Sequence, residues 1–76
     1  MGLVTIYTYS DQQMAELAKM KLESQGIPSL LPDGNFLKIT GLENALGGVR
    51  LQVSDKLVEK AKDAIVQFNH EMGISD

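Results

Sequence analysis

The clearest pattern of apolar and polar positions lies between Ser10 and Pro28, where apolar residues recur at helical spacing. One stripe of a helix is formed by Met14, Leu17, Ala18 and Leu22. We expect Ser10 to cap the start, because a serine followed three residues later by Gln13 can satisfy first-turn N–H groups. Gly26, followed by a proline two residues on, is expected to end this helix.

Two other segments alternate between apolar and polar residues and are therefore predicted to be strands. Leu3–Tyr9 is rich in β-branched and aromatic residues and leads directly into the first helix. Val49–Val53 alternates strictly, so its three apolar residues are expected to face a core while Arg50 and Gln52 face away. A third strand is predicted at 27–31, where the proline favours an edge position.

A second helix is predicted from Ser54 or Asp55 to about Met72, with Gly73 ending it. Its apolar stripe consists of Leu57, Val58, Ala61, Ile65, Phe68 and Met72, with Ala64 beside it. Before the 49–53 strand, residues 32–35 have the composition of a turn. The pattern leaves open whether 36–40 adds a short strand.

These elements predict one α+β domain spanning residues 1–76. Each helix has a single apolar stripe, so the economical packing places both helices on one face of an antiparallel sheet. The order corresponds to a ferredoxin-like βαββα fold that lacks its last strand, in which the first strand lies beside the 49–53 strand.

Composition and charge exclude several classes of function. The 76 residues include no cysteine, which excludes disulfides and thiolate metal sites, and no metal or other cofactor is expected. A net charge of −3 argues against nucleic acid as a partner, because binding to phosphates depends on clustered Lys and Arg. No apolar run could span a membrane and no signal peptide is evident, so we expect a cytoplasmic protein without a membrane partner.

The candidate binding residues lie on the first strand and on the 49–53 strand. Tyr7 and Tyr9 are expected on the sheet face that also carries Arg50 and Gln52. This face could be a platform for a ligand or partner, a solvated surface, or the seam of a homodimer. Gly47-Gly48 could expose N–H groups to an anion, but the absence of a following Lys, Ser or Thr favours a tight entry into the strand.

Catalysis is not indicated by the sequence. His70, the one histidine, is expected on the solvent face of the second helix, without a nucleophile beside it. Asp33 and Glu43 are the acids of the middle segment, and their positions are typical of solvated carboxylates. We therefore expect a protein that is not an enzyme.

Three runs resemble a small bacterial family of unknown function that is labelled a prokaryotic signal-transducing protein family. They are residues 15–18 (AELA), 22–28 (LESQGIP) and 47–53 (GGVRLQV). The resemblance implies a ferredoxin-like fold similar to that of nitrogen-regulatory signalling proteins, and it implies no ligand, reaction or partner. Two functions are then expected. One is a regulatory or adaptor module, expected to form a homodimer, that binds a partner protein through the sheet face or loop 33–48. The alternative is a small-molecule sensor with its ligand between that loop and the sheet.

Overall fold

The computed structural model describes residues 2–32 and 48–74, which form a three-stranded antiparallel sheet and two α-helices. The elements are β1 (Leu3–Tyr9), α1 (Gln12–Ser24), β2 (Ser29–Leu30), β3 (Val49–Ser54) and α2 (Val58–Glu71). A 3₁₀ turn, Asp55–Leu57, joins β3 to α2. The predicted α+β class is confirmed, and the question of a strand at 36–40 lies outside the described residues.

β3 is the central strand of the described sheet, which has the order β1-β3-β2. It pairs antiparallel with both neighbours, so the predicted contact between the first strand and the 49–53 strand is confirmed. Its alternation is also confirmed, because Val49, Leu51 and Val53 are fully buried while Arg50 is exposed. One sheet face therefore lies in the core, and the other carries the alternate residues of β3.

The core is one cluster to which the sheet and both helices contribute. Its largest fully buried side chains are Leu22, Ile27, Leu51, Val49 and Val53. The two helices lie side by side, and Lys21 Nζ of α1 lies 3.9 Å from Glu71 Oε1 of α2. Because the pair is partly exposed, this contact contributes little to stability, and burial of the apolar cluster holds the layers together.

The first helix begins one residue later than predicted. Asp11, not Ser10, is the N-cap, and its carboxylate accepts a hydrogen bond from Met14 N at 3.2 Å. A carboxylate at this position satisfies a first-turn N–H and also complements the positive end of the helix dipole. The prediction of Ser10 as the cap is therefore wrong, although a polar side chain that caps the helix is present one residue later, at Asp11.

The end of α1 is as predicted. Gly26 has φ of +77°, which glycine adopts without a steric penalty. Ile27 N donates to Leu22 O at 2.9 Å and Gly26 N donates to Glu23 O at 3.0 Å, which together make a Schellman motif. Gly73 ends the helical segment of α2 in the same way, with Ile74 N donating to Asn69 O at 2.8 Å.

The buried stripe of α1 is rotated relative to the prediction. Ala15, Ala18 and Leu22 are fully buried, whereas Leu17 is 43% exposed. A turn of about 100° per residue places Leu17 roughly 140–160° from Leu22 and Ala15 around the helix. The two alanines thus form the contact surface, and Leu17 was wrongly assigned to the core.

The prediction that Met72 belongs to the buried stripe of α2 is likewise wrong, because Met72 is 43% exposed. It lies at the C-cap of the helix. Asn69, which the apolar pattern omitted, is buried instead. Ser54 is a cap as predicted, but it caps the 3₁₀ turn, accepting from Lys56 N at 3.3 Å.

Substituting two leucines of α1 tests this rotation. Leu22→Ala should lower the free energy of unfolding by about 2–5 kcal/mol, because it leaves a cavity in the core. Leu17→Ala changes the same side chain on the same helix at an exposed position and should cost at most about 1 kcal/mol. Urea unfolding followed by circular dichroism measures both, and equal costs would contradict the helix orientation.

Candidate functional site

A β-bulge in β1 determines where the candidate residues lie. Thr5 pairs with Gln52 and Tyr7 pairs with Leu51, so Ile6 is an extra residue in the ladder between β1 and β3. Because side chains alternate along a strand, one extra residue reverses which positions face the core beyond it. The inward positions of β1 are even-numbered before the bulge and odd-numbered after it.

The bulge turns both tyrosines toward the helices. Tyr9 pairs with the buried Val49 and is only 2% exposed, and Tyr7 pairs with the buried Leu51. The prediction that Tyr7 and Tyr9 share a face with Arg50 and Gln52 is therefore wrong. A regular strand would have placed them there, and the alternation pattern contains no sign of the extra residue.

Tyr9 makes a polar contact within the core. Its hydroxyl donates a buried hydrogen bond of 2.8 Å to Asn69 Oδ1 of α2. The Tyr9 ring meets Phe68 edge to face, with 6.3 Å between the ring centroids, and the centroid of the Tyr7 ring lies 4.5 Å from that of Tyr9. Sequence reasoning missed Asn69, although its spacing of four residues from Ile65 puts it beside the apolar stripe.

Threonines, not tyrosines, accompany the polar residues of β3 on the outward face of the sheet. Arg50 pairs with Thr8, and Gln52 Nε2 donates to Thr5 Oγ1 at 3.0 Å. We define this outward face by the residues that the register places opposite the core: Leu3, Thr5, Thr8, Leu30, Arg50, Gln52 and Ser54.

An aliphatic groove crosses one end of the outward face. Leu3 pairs with Ser54, Leu30 pairs with Gln52, and the two leucines are 54% and 49% exposed. The groove has a volume of about 200 Å³ and is lined by Leu3, Pro28, Ser29, Leu30, Gln52, Ser54 and Leu57. It spans all three described strands and presents mainly hydrocarbon to solvent.

A second concavity, the tyrosine cavity, lies where β1 ends and α1 begins. Its volume is about 330 Å³, and it is lined by Tyr7, Thr8, Tyr9, Ser10, Asp11, Met14 and Ile74. The two concavities have no described lining residue in common. The predicted site residues are therefore divided, with the tyrosines at this cavity and Arg50 and Gln52 on the outward face.

Gly48 has a structural role at the entry to β3. Its φ is +111°, and a Cβ built there would overlap the carbonyl oxygen of Tyr9. The expected tight entry into the strand thus holds for Gly48, where both the backbone conformation and the close approach require glycine. Gly47 lies outside the described residues.

The remaining chemical groups are dispersed over the described surface. Within residues 2–32 and 48–74, no three His, Cys, Asp or Glu side chains are grouped so that they could hold a metal ion. His70 is exposed on α2, as expected. In the same part of the chain, neither helix has the length and apolar character needed to cross a bilayer.

Comparisons of this chain with protein-family models, with curated proteins and with solved structures found no match. The resemblance to a signal-transducing family stays a prediction.

The requirement for glycine at position 48 can be tested by comparing two glycines. Gly48→Ala should destabilise the fold by about 2–4 kcal/mol, because it combines left-handed strain with a backbone overlap. Gly26→Ala has the same sign of φ but open space around the new Cβ, so it should cost only about 1–2 kcal/mol. Denaturant unfolding gives both values, and a smaller loss at Gly48 than at Gly26 would contradict the close approach to Tyr9.

A double-mutant cycle tests the buried hydrogen bond. Tyr9→Phe and Asn69→Leu should each be destabilising, and their combination should cost less than the sum by about 0.5–3 kcal/mol. The double variant costs less than the sum because each single variant leaves one buried polar group without this partner. The control cycle combines Tyr9→Phe with His70→Ala, a change at the exposed residue next to Asn69, and its two free-energy costs should add. Additive costs in both cycles would refute the Tyr9–Asn69 hydrogen bond.

Proposed function

We propose that the chain is a non-enzymatic regulatory or adaptor module that binds a partner protein through the outward face of the sheet. The aliphatic groove on that face is the observation that carries the proposal. It joins half-exposed leucines from β1 and β2 across the central strand. The inner face of the same sheet is committed to the core, so the outward face is the side open to a partner.

The exposed leucines give this face its binding energy. Leu3 and Leu30 leave about half of their surface in water. Full burial of a leucine contributes roughly 1.5–3 kcal/mol, so covering both exposed halves would supply a similar amount. The volume of about 200 Å³ suits one or two aliphatic side chains from the partner. These side chains would be the anchors of the complex.

The surroundings of the groove resemble the rim of a protein interface. Polar side chains flank the leucines, and Gln52 already has a hydrogen-bond partner in Thr5. Arg50 lies further along the same face and supplies a positive charge on a chain whose net charge is −3. An apolar centre with a polar margin that includes arginine is typical of protein–protein contacts.

A ferredoxin-like βαββα arrangement is part of the same proposal. The order β1-β3-β2, with the first strand beside the third, supports it, as does the placement of both helices in one core with the inner sheet face. Folds of this kind serve many functions, so the groove and not the topology carries the functional argument.

A second copy of the chain is the alternative occupant of the outward face. A stable interface buries about 800 Å² on each partner, which is about one sixth of the 4901 Å² surface of the chain. Sedimentation velocity distinguishes the two cases, because a homodimer through this face would dissociate when the leucines are replaced. A monomer that binds another protein through them supports the adaptor.

Partner binding is tested with two matched double variants. Leu3→Thr/Leu30→Thr removes the aliphatic anchors while keeping residues that suit strands, and Leu17→Gln/Met20→Gln changes two exposed apolar residues of α1. In an affinity pull-down from a lysate of the native organism, a protein retained by the wild type should be retained by the helix variant. The strand variant should retain at least about tenfold less of it, a loss of about 1.4 kcal/mol.

The experiment needs the fold to be intact in both variants, which circular dichroism verifies. A partner that the strand variant retains fully would contradict a role for the outward face, and so would a partner lost equally by both variants.

A further inference from the structure

We propose that the tyrosine cavity binds a small aromatic amine, with the ring against Tyr7 and the ammonium group beside Asp11. This inference goes beyond the adaptor function, and it gives the small-molecule sensor hypothesis a site made of described residues. The aliphatic groove and the tyrosine cavity are lined by different sets of described residues, so the two proposals can fail separately.

The cavity is large enough for one ring with a short side chain. Its volume of about 330 Å³ equals that of about eleven waters at roughly 30 Å³ each. This is near the lower end of the range of about 300–1,000 Å³ that is usual for ligand pockets. A molecule of about ten non-hydrogen atoms therefore fits within the cavity.

The apolar wall of the cavity is held in place by the core. Tyr7, Met14 and Ile74 are half-buried and pack against the core cluster. The Tyr7 ring lies 4.5 Å from the Tyr9 ring, which α2 fixes through Asn69 and Phe68. An aromatic surface that is already positioned binds a second ring without a large ordering cost.

Asn69 links two sides of this wall. Its side-chain oxygen accepts from the Tyr9 hydroxyl at 2.8 Å, and its backbone oxygen accepts from Ile74 N at 2.8 Å. One buried residue of α2 therefore positions both the end of β1 and the chain that follows α2. The cavity is consequently a product of the fold and not of an isolated loop.

The charge at the cavity favours a cation over an anion. Among the described residues, Asp11 is the one charged residue in the lining, and no Lys, Arg or His lines the cavity. Met14 N donates to Asp11 Oδ2, which leaves Oδ1 to accept from a ligand. The helix N-terminus contributes about +0.5 of a charge, so the carboxylate leaves a net value of about −0.5. An ammonium group is attracted here, and the adjacent aromatic face adds to that attraction.

Ser10 adds a hydroxyl group to the polar side of the lining. This hydroxyl can pair with a second polar group on the ligand, such as a phenol. The arrangement of an aromatic face, a carboxylate and a nearby hydroxyl therefore selects a hydroxylated arylalkylamine over its carboxylate analogue.

Tyramine and 4-hydroxyphenylacetate are the probes, since they share a ring and similar size but carry opposite charges. Each is titrated into ¹⁵N-labelled full-length protein and followed by amide chemical shifts. Tyramine should produce saturable shifts at Ser10 to Met14 and at Ile74 below about 10 mM. The carboxylate should bind at least about tenfold more weakly because it is repelled by Asp11.

Two charge-matched variants locate the binding. Asp11→Asn keeps a good N-cap and removes the carboxylate, so it should weaken tyramine binding about tenfold. Asp63→Asn makes the same change in net charge at an exposed position of α2 and should leave tyramine binding unchanged. The strand variant Leu3→Thr/Leu30→Thr should also bind tyramine like the wild type.

The absence of tyramine shifts up to about 10 mM would overturn the proposal. Equal binding of the two probes, or an equal effect of the two Asp variants, would overturn the assignment of the ammonium to Asp11. None of these results affects the adaptor proposal, which depends on Leu3 and Leu30.

Discussion

The single extra residue at Ile6 determines which side chains of β1 enter the core. Before the bulge, Val4 faces inward opposite the buried Val53, and beyond it Tyr7 and Tyr9 do so. A regular strand would instead present Thr8 to the helices, and threonine fills less space and brings a hydroxyl without an aromatic ring. The bulge thus makes the core more aromatic at the end of the sheet where α1 begins.

The buried hydroxyl of Tyr9 needs a hydrogen-bond partner from another element of the fold. Burial of that group without a hydrogen bond would cost about 1–3 kcal/mol, and Asn69 supplies the bond from α2. The backbone of Gly48 lies against the Tyr9 carbonyl, so β3 must enter without a side chain at that point. The register of β1, the placement of α2 and the entry to β3 are therefore coupled through one residue.

Local signals predicted much of the fold because they depend on few neighbours. The glycine ends of both helices and the alternation of β3 followed from spacing and backbone chemistry, and the pairing of β1 with β3 followed from the expected topology. The orientation of α1 was missed because its buried surface is made of Ala15 and Ala18, and a pattern that weights large side chains favours Leu17. The orientation of a helix depends on the surface of the core against which it packs, and the sequence of the helix alone does not specify that surface.

The candidate site could be predicted only in part for the same reason. The sequence singled out Tyr7, Tyr9, Arg50 and Gln52, but a bulge has no composition of its own, and it separated the four residues onto two faces. Asn69 and Asp11 carry roles that only the assembled structure reveals: one joins β1 to α2, and the other places a carboxylate at the tyrosine cavity. The roles of these two polar residues were thus not predicted from the sequence.

The inward orientation of the tyrosines is the central claim, and proton–proton nuclear Overhauser effects measure it directly. The account predicts contacts between the ring protons of Tyr9 and Phe68, whose centroids lie 6.3 Å apart, together with contacts from Tyr9 to Asn69. It predicts no contacts from either tyrosine ring to the side chain of Gln52. Strong contacts between the tyrosine rings and Gln52, with none to Phe68, would show a regular strand and contradict the account.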